Sequence, residues 1–145
     1  MGLGEKAVTV SQQALLFEEF IAREHQAGRF AAKFRAADAP ILLHGHCHQK
    51  AFDAVAPILQ VLALIPGANP QLIESSCCGM AGSFGIDASH YEVSMQMAEL
   101  SLLPAIRQQA NAIVVADGTS CRHQIKDGAQ REAVHVALLL ERLLA

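Results

Sequence analysis

The apolar residues Leu15, Leu16, Phe17, Phe20 and Ile21 recur at helical spacing, with Glu18, Glu19, Arg23 and Glu24 on the opposite side. Ser11 offers an N-cap ahead of this run and Gly28 a natural stop after it. Phe30 and Phe34 carry the apolar face into a second short helical piece. Pro40 opens Ile41-Leu42-Leu43, a short buried strand. A helix is predicted over about 50–64, ended by Pro66-Gly67, and Leu72-Ile73 reads as a second strand. Helical spacing returns over 90–109, with Met95, Leu100, Leu103 and Ile106 facing inward, and Pro104 predicts a kink or a division there. The clearest strand is 112–116, continuous and β-branched as in a sheet covered on both faces. A last helix is predicted from about 130 to the end.

Alternation of helix and strand argues for parallel strands joined by right-handed crossovers. The expected fold class is α/β: a three-layer, mostly parallel sheet flanked by helices. The expected organisation is a single domain over 1–145, with an N-terminal helical region over 1–39 and a core over 40–145.

Composition narrows the function classes. The chain has 145 residues, 52% hydrophobic and 17% charged, which fits one globular domain and excludes disorder. A formal net charge of −3 leaves no basic footprint, so nucleic acid is not an expected partner. No stretch is apolar and long enough to span a bilayer, and Met1-Gly2-Leu3-Gly4-Glu5-Lys6 lacks a signal-peptide apolar region. A reducing, cytoplasmic setting is the expectation, and there cysteines beside histidines point to metal binding or catalysis rather than disulfides.

Four cysteines carry the candidate chemistry. Cys47 stands in His44-Gly45-His46-Cys47-His48, Cys77 and Cys78 in Ser75-Ser76-Cys77-Cys78-Gly79, and Cys121 in Ser120-Cys121-Arg122-His123. Each block follows one of the three expected strands. In a parallel sheet the loops after the strands share one edge, where ligands bind. The three blocks therefore converge, making a pocket of thiolates and imidazoles suited to a soft or borderline metal or to an iron–sulfur cluster. The spacing contains no Cys-x-x-Cys knuckle, so tertiary folding must assemble the site.

His44, His46 and His48 alternate. In an extended segment they share one side and Cys47 takes the other, so they join one site only if a turn begins there, as Gly45 permits. The bland alternative is that single imidazoles hydrogen-bond loop carbonyls. His25 and His90 read as surface residues, and His135 as core or as a neighbour of the site. Gly79, Gly82 and Gly85 match neither a Walker loop nor a dinucleotide fingerprint. They read instead as small residues that let backbone approach a cluster or a neighbouring chain. Asp117 reads as a cap for the Cys121 segment or as ordinary turn chemistry.

At Cys47, Cys77-Cys78-Gly79 and Cys121 the chain resembles the cysteine-rich CCG domain of the heterodisulfide reductase family. Related domains form the C-terminal part of FAD-linked oxidases and occur in iron–sulfur proteins of the glycolate oxidase type. The resemblance covers roughly 40–145. One position departs from it, because the family's last cysteine would stand at 124 and Gln124 is there instead.

The resemblance implies a piece of a longer protein: an iron–sulfur or other metal-binding, electron-transfer domain of a flavin-linked 2-hydroxy-acid oxidoreductase, not catalytic alone. It implies Cys47, Cys77, Cys78 and Cys121 as ligands of a 4Fe–4S cluster or of zinc. His46, His48 and His123 are candidate ligands or hydrogen-bonding partners of ligands. FAD would lie only on another domain or subunit. The implied partners are that flavin-containing domain or subunit and an electron acceptor. Membrane association would be peripheral, through partners. The C-terminal apolar face (Val134, Leu138, Leu139, Leu143, Leu144) would be core, a contact with the rest of a longer chain, or a homo-oligomer contact. Two rivals stand beside this reading: a zinc-stapled assembly domain and a thiol-based redox enzyme.

Overall fold

A computed structural model describes residues 4–75 and 77–145. Residues 1–3, at the start of the segment read above for a leader, and Ser76, in the middle cysteine block, lie outside the described residues.

Four parallel strands form one sheet in the order β2-β1-β3-β4: β1 Ile41–Leu43, β2 Gln71–Leu72, β3 Ile113–Val115 and β4 Ala133–Val134. The central strands are apolar throughout because both faces are covered. Ile41, Leu43 and Val115 point into one core, with Ile21 and Ala22 of α2 (Phe17–Gln26), Ile58, Val61 and Leu62 of α4 (Val55–Leu62), and Leu139 and Leu140 of α8 (Val136–Leu143). Leu42 and Val114 point into the other, with Leu102 and Ile106 of α6 (Leu102–Gln108) and Cys121 and Ile125 of α7 (Thr119–Ala129). This is the expected three-layer arrangement. Among the described residues no helix is long and apolar enough to cross a membrane.

The chain leaves β1 through α3 (Cys47–Ala51) and α4 to β2 on one flank. It then returns past β1 through α5 (Tyr91–Glu99) and α6 to β3 on the other flank. The topological reversal lies between β1 and β3, where an open α/β sheet leaves a crevice at its C-terminal edge.

Several local expectations change. Ser11 lies within α1 (Gly4–Gln13) rather than capping a helix; α2 starts after Leu16, whose N–H donates to Glu19 Oε2 at 2.7 Å. Gly28 does follow the end of α2, with φ +69°. Residues 30–34 form no helix. Phe34 bridges Leu144 antiparallel, and Arg35 N–H donates to the Leu143 carbonyl at 2.7 Å, so pairing with the chain's last residues overrides local propensity.

The helix expected over 50–64 is two, α3 and α4, broken around Asp53 with φ +55°. Division also occurs near Pro104, but at Leu100 and Ser101. Pro104 then falls in the first turn of α6, where an N–H has no intrahelical acceptor to lose. The segment after β3, read as a loop, is α7, and the single helix expected from about 130 becomes two elements, β4 and α8. Within the C-terminal apolar face, Leu139 is buried while Leu138 and Leu144 are exposed.

Helical spacing sets Glu18 on the solvent side of its helix, but the fold buries it. It is only 3% exposed, in the first turn of α2, and hydrogen-bonds Asp117 at the end of β3. Asp117 also accepts from Gln49 Nε2 at 2.9 Å and from Val136 N–H at 3.0 Å, tying α2, α3 and α8 to β3. His135 Nδ1 lies 3.6 Å from Asp117 but accepts the Ala137 N–H, so that nitrogen carries no proton toward the carboxylate. Burial, and after it the Asp117 carboxylate, push the Glu18 carboxyl up to about 7.

The folded-state value lies above the ordinary 4.5. The contribution is therefore complete below that ordinary value and is lost as pH rises through about 7. Glu18→Gln should flatten stability over this window and gain roughly 1–3 kcal/mol over the wild type at pH 8, read from urea melts across pH. Parallel pH profiles for the two proteins would refute the shared-proton pair.

Candidate metal centre

The cysteine site grows from three strand ends. After β1 the chain passes His44, which is fully buried, and Gly45 before turning into α3. His46 caps α3: its Nδ1 accepts the His48 N–H at 3.2 Å and its own N–H donates to Gln49 Oε1 at 2.9 Å. Cys47 is the first residue of α3. After β2, Ile73 continues against β1 by donating to the Leu43 carbonyl, and the chain then reaches Ser75, Cys77 and Cys78. After β3, Asp117 and Gly118 lead into α7, whose first turn holds Cys121.

The four cysteines are free thiols and converge at this edge. Cys78 and Cys121 are buried, with their sulfurs 3.3 Å apart. His44, Cys78 and Cys121 place one ligand atom each within 4.8 Å of one another. Cys77 accepts the Gly79 N–H at 3.3 Å and lies against Cys47. Burial first, then the Cys77 sulfur, push the Cys47 thiol above its ordinary value.

Cys78 and Cys121 titrate as a pair. The hydrogen bond from Cys121 outweighs burial and, with a hydrogen bond from the His44 ring and then the Met80 N–H, holds the Cys78 thiol down at about 4. The same bond, and then burial, push the Cys121 thiol strongly upward. One proton is thus shared between two sulfurs, and the pair is anionic at neutral pH.

The candidate histidines separate. His44 Nδ1 lies 2.9 Å from Ser75 Oγ, while its Nε2 is buried with no hydrogen-bond partner among the described residues. His46 uses Nδ1 as a cap, and burial followed by repulsion from His48 lowers its pKa, so it is neutral at neutral pH. His48 and His123 are exposed, on α3 and α7. His44, left out of the preferred set by sequence reasoning, is the imidazole that faces the sulfurs. Its signal was the apolar strand directly before it, which carries the first post-strand residue inward.

Two glycines keep the site open. A Cβ at Gly118 would sit 2.5 Å from His46 Cδ2 and 2.9 Å from Cys121 Sγ. Gly79 has φ +91°, and a Cβ there would strike the Ser94 carbonyl and lie 3.1 Å from Gln124 Nε2. Gln124 itself is buried and donates to Ser94 O at 3.0 Å and Ser94 Oγ at 2.9 Å. Beside the sulfurs, Leu16, His46, His48, Phe52, Asp117 and Gly118 border a cleft of about 440 Å³ at the β1/β3 crevice.

The donor set suits a thiophilic metal. Two thiolates sharing one tetrahedral ion at about 2.3 Å stand about 3.8 Å apart, slightly more than Cys78 and Cys121 do. A ring nitrogen of buried His44, within 4.8 Å of both sulfurs, offers a third donor, and Cys47 and Cys77 extend the sulfur set toward the surface. In a 4Fe–4S cluster each thiolate binds a different iron, so that occupant requires the sulfurs to spread further.

The chain is similar to the C subunit of anaerobic glycerol-3-phosphate dehydrogenase from Escherichia coli (strain K12), 30% identical over 105 residues, which are 72% of this chain and 26% of that protein. It is also similar to D-2-hydroxyglutarate dehydrogenase of the same organism, 36% identical over 84 residues, 57% of this chain and 8% of that protein. The enzyme of that name from Pantoea ananatis (strain AJ13355) matches at 37% over 60 residues, 41% of this chain and 6% of that protein. The chain thus spans about a quarter or less of the length of these relatives. No family model matches it, and no solved structure does.

Two measurements probe this geometry. Metal-free protein titrated anaerobically at 240 nm should lose one thiolate near pH 4. Cys78→Ser should abolish that step and Cys121→Ser should move it upward; an unchanged acid limb in both would refute the pair. Gly79→Ala should cost about 3 kcal/mol through left-handed strain and the clash with Ser94, and a wild-type urea midpoint would contradict the close approach.

Proposed function

We propose that this domain holds a metal centre at the C-terminal edge of its sheet and passes electrons within a flavin-linked 2-hydroxy-acid oxidoreductase. The observation that carries the reading is the buried Cys78–Cys121 pair, 3.3 Å apart, with a ring nitrogen of buried His44 within 4.8 Å of both sulfurs. The similarity to two dehydrogenases, one named for a 2-hydroxy acid, gives the redox context.

Cys78, Cys121 and His44 would form the inner donors, and Cys47 and Cys77 would complete the set. A centre held there would supply reversible one-electron transfer if it contains iron and sulfide. The residues do the rest. The shared proton keeps the pair anionic, ready to take a cation. The Gly79 N–H donates to the Cys77 sulfur at 3.3 Å, and the Met80 N–H donates to Cys78 and favours its thiolate form. His46, His48 and His123 serve outside the inner donor set, His46 as the cap that aims α3 at the site. On this reading the chain is part of a longer protein or assembly, the flavin lies on another domain or subunit, and the setting is cytoplasmic.

A zinc staple that fixes three loops is the second reading, favoured by the short sulfur separation, which suits two thiolates on one ion better than a 4Fe–4S cluster. Anaerobic purification followed by elemental analysis separates the two. Iron with acid-labile sulfide and a visible band that bleaches reversibly on reduction is the expected result. One zinc per chain and no colour would overturn electron transfer in favour of the staple. Cys78→Ser and Cys121→Ser should lose bound metal and melt at lower temperature together, because ligation and folding are coupled; full metal content in both would overturn either metal reading.

A further inference from the structure

The sulfurs of Cys78 and Cys121 are in contact. Cys121 Sγ donates to Cys78 Sγ at 3.3 Å, and both are free thiols. Chemistry fixes two other separations for such a pair. Two thiolates on one tetrahedral zinc ion stand about 3.8 Å apart, and two sulfurs joined in a disulfide stand about 2.05 Å apart. The observed distance lies between these values. Opening slightly admits an ion, and closing by about 1.3 Å forms a bond. The two outcomes exclude each other, because metal binds the thiolate and a disulfide sulfur is no longer one.

The neighbouring cysteines offer poorer closures. Cys77 and Cys78 are adjacent in sequence, so their Cα atoms stand about 3.8 Å apart, short of the usual disulfide span of about 4.4–6.8 Å. Cys77 is engaged by the Gly79 N–H at 3.3 Å and lies against Cys47, which makes Cys47–Cys77 the competing pair. A small molecule has a route to the inner pair. Gly118 borders the 440 Å³ cleft, and a Cβ on it would lie 2.9 Å from Cys121 Sγ. The sulfur therefore packs directly on the glycine at the cleft wall, with no side chain between them.

We infer that Cys78 and Cys121 form a reversible oxidation site: a peroxide closes them to a disulfide that competes with metal for the same two sulfurs. One sulfur attacks the peroxide O–O bond and takes one oxygen as a sulfenic acid, while the other oxygen leaves as water. The second sulfur displaces the bound oxygen, which leaves as water with that thiol's proton, and the S–S bond forms. Two thiols lose two electrons and two protons, and one hydrogen peroxide becomes two waters. A dithiol reverses the closure by thiol–disulfide exchange. The competition rests on the metal reading, whereas the closure needs only the two thiols.

The test uses the full chain, reduced, stripped of metal with EDTA and kept anaerobic until one equivalent of hydrogen peroxide is added. The mass should fall by two hydrogens, and tandem mass spectrometry of non-reduced tryptic peptides should join Cys78 to Cys121. Dithiothreitol should restore both thiols. In urea the same addition should scatter bonds among the four cysteines, since only the fold holds these two sulfurs together. Competition titration with Zn(II) should show binding by the reduced chain, its loss on closure and its return with dithiothreitol. A Cys47–Cys77 bond in place of Cys78–Cys121, sulfinic acid without a disulfide, or an unchanged mass would overturn the inference. Equal, measurable zinc affinity before and after closure would overturn the competition. Closure of Cys78 on Cys121 in a chain whose reduced form binds no zinc would overturn the metal reading and uphold the oxidation site.

Discussion

Parallel pairing of β1 with β2 on one side and β3 on the other fixes where everything chemical must lie. Parallel strands end on the same edge, so the segments after all three strands emerge together. Cys47 is separated from Cys121 by 74 positions in sequence, yet both begin helices that leave this edge. The reversal between β1 and β3 leaves the crevice open there, and the apolar strands, buried on both faces, hold the strand ends rigidly. A site assembled this way needs no local ligand motif.

His44, Cys78 and Cys121 are buried at this edge, and that governs its electrostatics. A lone thiolate in such a place would be strongly disfavoured. Pairing Cys78 with Cys121 keeps one negative charge by letting the second sulfur donate to the first. A few residues away, Glu18 and Asp117 meet the same constraint by sharing a proton, and Asp117 uses its other acceptors to cap α8 and hold Gln49. Gln49 in turn accepts from the His46 N–H. A continuous hydrogen-bonded path therefore runs from α2 to the helix that begins with Cys47, so the shape of the cleft beside His46 depends on a carboxyl pair remote in sequence.

Gln124 stands where the resemblance read from the sequence calls for a cysteine. It stands three residues after Cys121 on the buried face of α7 and within reach of the Gly79 backbone. A cysteine there would face the same loop as Cys78. Here the position is instead a polar clamp, with its amide committed to Ser94 of α5. Four cysteines remain at this edge, and the His44 imidazole lies beside two of them.

The fold class and the convergence of the cysteine blocks were legible in the chain. Ile41-Leu42-Leu43 and Ile113-Val114-Val115 are continuous apolar runs, and each is followed directly by a cysteine segment. β4 was not legible, because two residues carry no period. Nor was α7, whose Thr119–Ala129 stretch is largely polar and buries only Cys121, Gln124 and Ile125. The burial of Glu18 depends on Asp117, 99 positions away, and no local pattern records such a partner. The choice among His44, His46 and His48 turns on where α3 begins. An extended reading puts all three on one side, whereas the turn at His46 sends one inward, uses one as a cap and leaves one at the surface. Sequence determined which residue types reach the sheet's edge, since strand periodicity and chain order are local properties. Tertiary structure decided which of them meet, because the distance between a sulfur and a ring nitrogen is set by how strands and helices pack.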